Sequence, residues 1–185
     1  KFSMSGSQRN RLKGATVYEV GSIQYSKSKG RDWRKKITPR LQKLGINVLD
    51  PTNDSFKRSK EDKKLQQKLE QLRNEGRFEE LRELGKPIRA IDLKATDKAD
   101  FIIFYLDTDV FTVGSFEEIF WANRLHRPVL IYIKQGKRGL PFWLFWTFPT
   151  EFIFENWEDM FEYLEYINSS EVIDTLNGRW QFFGE

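Results

Sequence analysis

Short apolar runs alternate with stretches of helical period along this chain, and that alternation predicts its architecture. Ala15-Thr16-Val17-Tyr18-Glu19-Val20 reads as a first strand ending in Gly21-Ser22. After a loop rich in Ser, Lys and Gly, Asp32-Trp33-Arg34 opens a helix whose apolar positions, Trp33, Ile37, Leu41 and Leu44, recur at helical spacing. Pro39 predicts a kink in that helix, or a restart capped by Thr38. Gly45 ends it, and Ile46-Asn47-Val48-Leu49 forms a short second strand closed by Asp50-Pro51. From about Ser55 to Gly85 the chain is charged and helical, with apolar stripes at Leu65, Leu69, Leu72 and at Phe78, Leu81, Leu84, broken near Gly76.

The second half is more apolar. Phe101–Leu106 is a near-continuous apolar strand, as expected where helices cover both faces of a parallel sheet. A helix follows from Gly114-Ser115 through Leu125, with Phe116, Ile119, Phe120 and Ala122 available for packing. Pro128–Ile133 is the next strand and Phe152-Ile153-Phe154 the fifth, while the run Phe142–Phe148 also suits a buried strand. Asn156 caps a last helix that turns Trp157, Phe161, Leu164 and Ile167 inward. Alternating strands and helices imply one α/β domain with a parallel five-stranded sheet flanked by helices and right-handed crossovers. The expected organisation is a flexible tail over 1–13, the domain over 14–168, and an aromatic tail over 169–185. That last segment carries Trp180, Phe182 and Phe183 and is expected to dock on the domain or on a neighbouring subunit.

Composition narrows the chemistry. A chain of 185 residues that is 39% hydrophobic and 15% aromatic can bury a core. No apolar run approaches the roughly 20 residues that span a bilayer, and Lys1–Gly6 has no apolar signal-peptide core. A soluble cytoplasmic protein is expected. Without cysteine there is no disulfide, thiolate nucleophile or cysteine metal site. The single histidine, His126, leaves little room for zinc or a histidine triad and reads as structural. The 31 basic residues are interspersed with 27 acidic ones, so the net charge of +4 does not mark a nucleic-acid surface.

Ligands of parallel sheets bind beyond the carboxyl ends of the strands. That rule gathers the Gly21 loop, Asp50, Asp107, Asp109 and the start of the Gly114 helix. Glu117 and Glu118 stand in the first turn of that helix, where the helix N-terminus favours an ionised carboxylate, the form a glycosyl transfer needs as nucleophile. Asp107 could sit across the site and handle protons on a departing base. The alternative is structural: Ser115-Phe116-Glu117-Glu118 fits a capping box, with the glutamate bonded to a backbone N–H. Asp107 and Asp109 could likewise be turn residues. The Gly21 loop lacks a dinucleotide or triphosphate motif, but Lys27, Lys29 and Arg31 follow it. Trp33 could be core or a stacking platform.

Taken in order, these motifs resemble the nucleoside 2-deoxyribosyltransferase superfamily, most closely its divergent second branch. Val17-Tyr18-Glu19-Val20-Gly21-Ser22-Ile23 is similar to that branch's strand followed by Gly-Ser-Ile, and Asp32-Trp33 to its Asp-Trp. Val48-Leu49-Asp50-Pro51 resembles the close of the second strand, and Ala99–Ile103 the Ala-Asp before an apolar strand. Gly114–Ile119 resembles Gly-Thr-x-x-Glu-Ile, which puts the family's nucleophile on Glu118, and Arg127-Pro128-Val129 resembles the Lys-Pro-Val of the next strand. The aspartate that many members carry six positions before the nucleophile is Thr112 here.

The resemblance implies a flavodoxin-like, Rossmann-like fold and an N-deoxyribosyltransferase or N-glycosidase needing neither metal nor cofactor. It implies a nucleoside or nucleotide substrate, a free nucleobase as partner, and a homodimer or larger assembly. Glu118 would attack C1′ of a 2′-deoxynucleoside or its 5′-monophosphate, and a second base or water would take the sugar. Asp107 would be its acid/base partner, and Gly21, Ser22, Ile23, Asp32, Trp33, Asp50, Asp109, Gly114 and Ser115 would contact substrate. Lys27, Lys29 and Arg31 favour tolerance of a phosphate. The alternative is a non-catalytic nucleotide-binding or sensing module on the same fold.

Overall fold

The structure, a computed structural model, describes residues 9–53, 62–169 and 179–180. Five parallel strands form one sheet: β1 (Thr16–Gly21), β2 (Asn47–Leu49), β3 (Phe101–Leu106), β4 (Val129–Ile133) and β5 (Ile153–Phe154). Their order is β2-β1-β3-β4-β5, the flavodoxin-like order, in which the winding reverses between β1 and β3 and opens a crevice at the carboxyl edge. The helices are α1 (Arg31–Lys43), α2 (Asp62–Asn74), α3 (Phe78–Lys98), α4 (Gly114–Arg124), α5 (Phe142–Thr147) and α6 (Trp157–Ser169).

Side chains alternate across each strand, so the two faces of the sheet build two cores. On one face Val17, Phe101, Ile103 and Leu130 pack with Trp33, Ile37 and Leu41 of α1 and with Met160, Phe161 and Leu164 of α6. On the other, Tyr18, Val20, Ile102, Phe104 and Ile131 pack with Ala95 of α3, Ile119 and Ala122 of α4, and Leu144 of α5. The helix α1 begins at Arg31 behind Gly30, whose φ of 73° is left-handed. Asn156 caps α6 as its sequence predicts, accepting the Asp159 N–H at 2.8 Å.

Three expectations change. Pro39 neither breaks nor restarts α1, because it lies on the exposed face, where the carbonyl it leaves without a partner meets water. The charged stretch divides at Gly76 (φ +69°) as expected, but α3 does not end at Gly85; it continues through Gly85 and Pro87 to Lys98. Packing of α3 on α2 and α4, with Ala95 buried, outweighs the local cost of Gly85 and Pro87. Residues Phe142–Phe148 form α5, not a strand. Leu140, Leu144 and Phe148, four residues apart, are buried while Phe142, Trp143 and Trp146 face out; that spacing is helical.

At the chain's ends, Leu12 is buried, and its N–H donates to Asn168 Oδ1 at 2.9 Å. Trp180 is buried against Phe101, and its indole N–H donates to the Tyr163 hydroxyl at 2.8 Å. Phe182 and Phe183 lie outside the described residues. Among the described residues no helix is long and apolar enough to cross a membrane.

Candidate active site

The carboxyl edge of the sheet holds two cavities, one over each face. The first, about 550 Å³, lies over the face of Tyr18 and Val20. Its floor is β1 and the start of α4, and the α2–α3 pair walls it with Leu69, Leu81 and Ile88 beside Arg73 and Arg89. Of the residues singled out from sequence, Gly21, Ser22, Ile23, Gly114, Ser115 and Glu118 line it.

Glu118 is oriented from across the sheet. The Tyr18 hydroxyl donates to its Oε1 at 2.8 Å, a buried hydrogen bond between β1 and α4. The capping-box alternative fails: the helix is capped at Val113 with no side-chain bond, and Ser115 lies inside it. The Thr112 hydroxyl instead donates to Ser115 Oγ at 3.0 Å. The expected ionised state is also corrected. Burial, with the negative charge of Asp92 as the next contribution, pushes the Glu118 carboxyl up to about 8; the Tyr18 hydrogen bond and the Arg34 charge oppose this. Desolvation outweighs the helix N-terminus because only 9% of Glu118 is exposed.

Asp107 does not stand opposite Glu118. It accepts from Lys134 Nζ at 2.7 Å and from Gln135 Nε2 at 2.7 Å, partners that hold it below the usual carboxylate range against the opposing effect of its partial burial. It faces the second cavity, about 320 Å³, together with Asp32 and Trp33. The reason is strand parity: β3 ends at Leu106, and the chain turns there toward the other face. Asp109 is drawn into the same turn, its N–H bonded to Asp107 Oδ1 at 3.0 Å and its carboxylate to Gln135. Asp50 lines neither cavity; its Oδ1 accepts from the Thr52 N–H and hydroxyl, both at 2.7 Å, and pairs with Arg34 at 3.5 Å.

Glu70, Asp92 and Glu117 share the first cavity with Glu118, and the one whose charge acts on it most is Asp92 of α3, which sequence reasoning missed. It stood beyond the expected end of the helix at Gly85, and only the pairing of α3 with α4 brings it in. Arg34 was missed as well. Fully buried, it donates to Gly30 O at 2.7 Å and to Glu19 O at 2.9 Å, tying the β1–α1 loop to its strand. Gly21 serves this packing too: a Cβ there would lie 3.0 Å from the Trp33 ring and 3.2 Å from Tyr105 O. Lys27, Lys29 and Arg31 do not line the cavity; Arg73 and Arg89 do, the latter paired with Glu117. His126 holds a left-handed turn after α4 (φ 57°). Among the described residues no group of three or more His, Asp or Glu side chains could hold a metal ion.

No family model and no curated protein matches this chain. Among solved structures it is similar to the CMP N-glycosidase BcmB of Clostridium botulinum, at 12% identity and a TM-score of 0.45, over 82% of this chain and 98% of that one.

Proposed function

We propose that the protein cleaves the N-glycosidic bond of a 2′-deoxynucleoside or its 5′-monophosphate, with Glu118 as the nucleophile. The observation that carries this reading is the Glu118 carboxyl, buried in a cavity at the switch point of the sheet and held by the Tyr18 hydroxyl at 2.8 Å. A carboxylate so oriented can approach C1′ as the bond to the base lengthens. The C–O bond to Glu118 forms, the C1′–N bond breaks, and its electron pair leaves with the base, which takes up a proton. Asp92, beside Glu118, is the group in the cavity suited to hold the base and manage that proton. Water or a second base then attacks C1′ and frees Glu118. Arg73 and Arg89 can receive a 5′-phosphate.

Only the ionised carboxyl is nucleophilic, so its raised pKa makes a prediction. Cleavage by wild type should rise as pH increases through about 8. Chromatography of a panel of deoxynucleosides and their monophosphates, with and without an acceptor base, should show base release. Glu118→Ala should lower it by at least about a hundredfold. Equal release by wild type and Glu118→Ala overturns the mechanism; a rate that falls through pH 8 makes the protonated form the active one. Ligand-induced stabilisation without turnover selects the non-catalytic binding module.

A further inference from the structure

The second cavity is a built pocket that the cleavage reaction leaves unused. Trp33, Tyr105, Tyr132 and Trp157 stand there in a near-parallel array, with interplanar angles of 12° for Trp33–Tyr105, 10° for Tyr105–Tyr132 and 6° for Tyr132–Trp157. Register explains the array: Tyr105 and Tyr132 are partners across β3 and β4, and the place beside Tyr105 on β1 is Gly21, over which Trp33 lies. Hydrogen-bonding capacity is left open. Among the described residues the buried Trp33 indole N–H has no partner, and no hydrogen bond engages the Tyr105 or Tyr132 hydroxyl.

Charge narrows the ligand. Asp107 is paired with Lys134, and Asp32 and Lys36, one turn apart on α1, bring one charge of each sign to the wall. Two carboxylates disfavour phosphate, and the nearby ammonium groups disfavour a cation. What remains is a neutral guest with both donors and acceptors. Flat parallel rings favour a planar guest over a puckered sugar, and about 320 Å³ accommodates one heteroaromatic ring system. The two cavities share Ser22 and Thr112 as a common wall, closed by the Ser22 hydroxyl donating to Phe111 O at 3.2 Å.

We infer that this second cavity binds a free nucleobase, beside and distinct from the cavity of Glu118. The choice of a base rests partly on the cleavage reading, since a base released next door would be the neutral planar molecule at hand. The site would retain or exchange bases without taking part in bond breaking.

The test is calorimetric titration of adenine, cytosine, 2-deoxyribose and inorganic phosphate into wild type, Asp32→Asn, Tyr132→Phe and Glu118→Ala. Saturable binding of a base is expected, weakened about tenfold by Asp32→Asn, weakened by Tyr132→Phe, and unchanged by Glu118→Ala. Asp32 is exposed, so its variant tests the site without threatening the fold. Base binding lost in Glu118→Ala, or insensitive to both second-cavity variants, overturns the inference, as does binding of sugar or phosphate in place of base. An absence of nucleoside turnover would sink the proposed reaction while leaving this binding measurement intact.

Discussion

At the residue scale the molecule is governed by carboxyls kept from water. Glu19 lies on β1 next to Tyr18 but points to the opposite face. It is fully buried, and its Oε1 accepts from the Thr38 hydroxyl at 2.8 Å, while Oε2 has no partner among the described residues. Burial raises it from 4.5 to about 8. Below pH 4.5 both folded and unfolded chains hold this proton. As pH rises toward 8 the unfolded chain releases it first, so the stability this group contributes is lost across that window. Glu19→Gln keeps an acceptor for Thr38 and removes the ionisation. The variant should match wild type near pH 4.5 and exceed it near pH 8, by on the order of a few kcal/mol. Thermal melts across pH check this; parallel curves for the two proteins would contradict it.

At the scale of elements, α3 matters most, because it carries both Asp92 and Arg89 to the cavity and packs on α4, which holds Glu118. It does so despite an internal glycine. A Cβ at Gly85 would meet no atom within 4 Å, so alanine there should relieve backbone entropy without a clash. Gly85→Ala is expected to stabilise the fold by about 0.5–1 kcal/mol, read as a higher denaturant midpoint with unchanged slope. A lower midpoint would show that α3 needs its glycine to bend over the cavity.

Across the whole molecule, α5 presents an aromatic surface amid a charged exterior. On α5, Phe142, Trp143 and Trp146 are 76%, 64% and 73% exposed while Leu144 beneath them is 1% exposed. Exposed aromatic clusters of this kind mark contact surfaces. Wild type should therefore sediment as a species heavier than the monomer, in line with the homo-oligomer that the sequence resemblance implies. The double substitution Trp143→Glu with Trp146→Glu should shift it to monomer. Sedimentation velocity at several concentrations decides the matter; a monomeric wild type would remove α5 as a self-association surface.

The sequence by itself determined the strands, because a fully covered parallel sheet writes itself as local apolar runs such as Phe101–Leu106. A helix starting at Gly114 beyond a buried strand also puts Glu117 and Glu118 near the ligand edge, and the resemblance of Gly114–Ile119 to the family signature chooses Glu118 between them. The run Phe142–Phe148 reads as a strand because nearly every position is apolar, and only the burial of Leu140, Leu144 and Phe148 brings out its helical face. Only tertiary structure decided which carboxyl accompanies Glu118. Asp107 is near in sequence but turns to the opposite face at the strand's end, whereas Asp92 arrives from a helix packed beside α4 on the same face. Only tertiary structure decided the protonation of Glu118 as well. Periodicity reports a residue's own element, while desolvation depends on what distant segments bring to cover it.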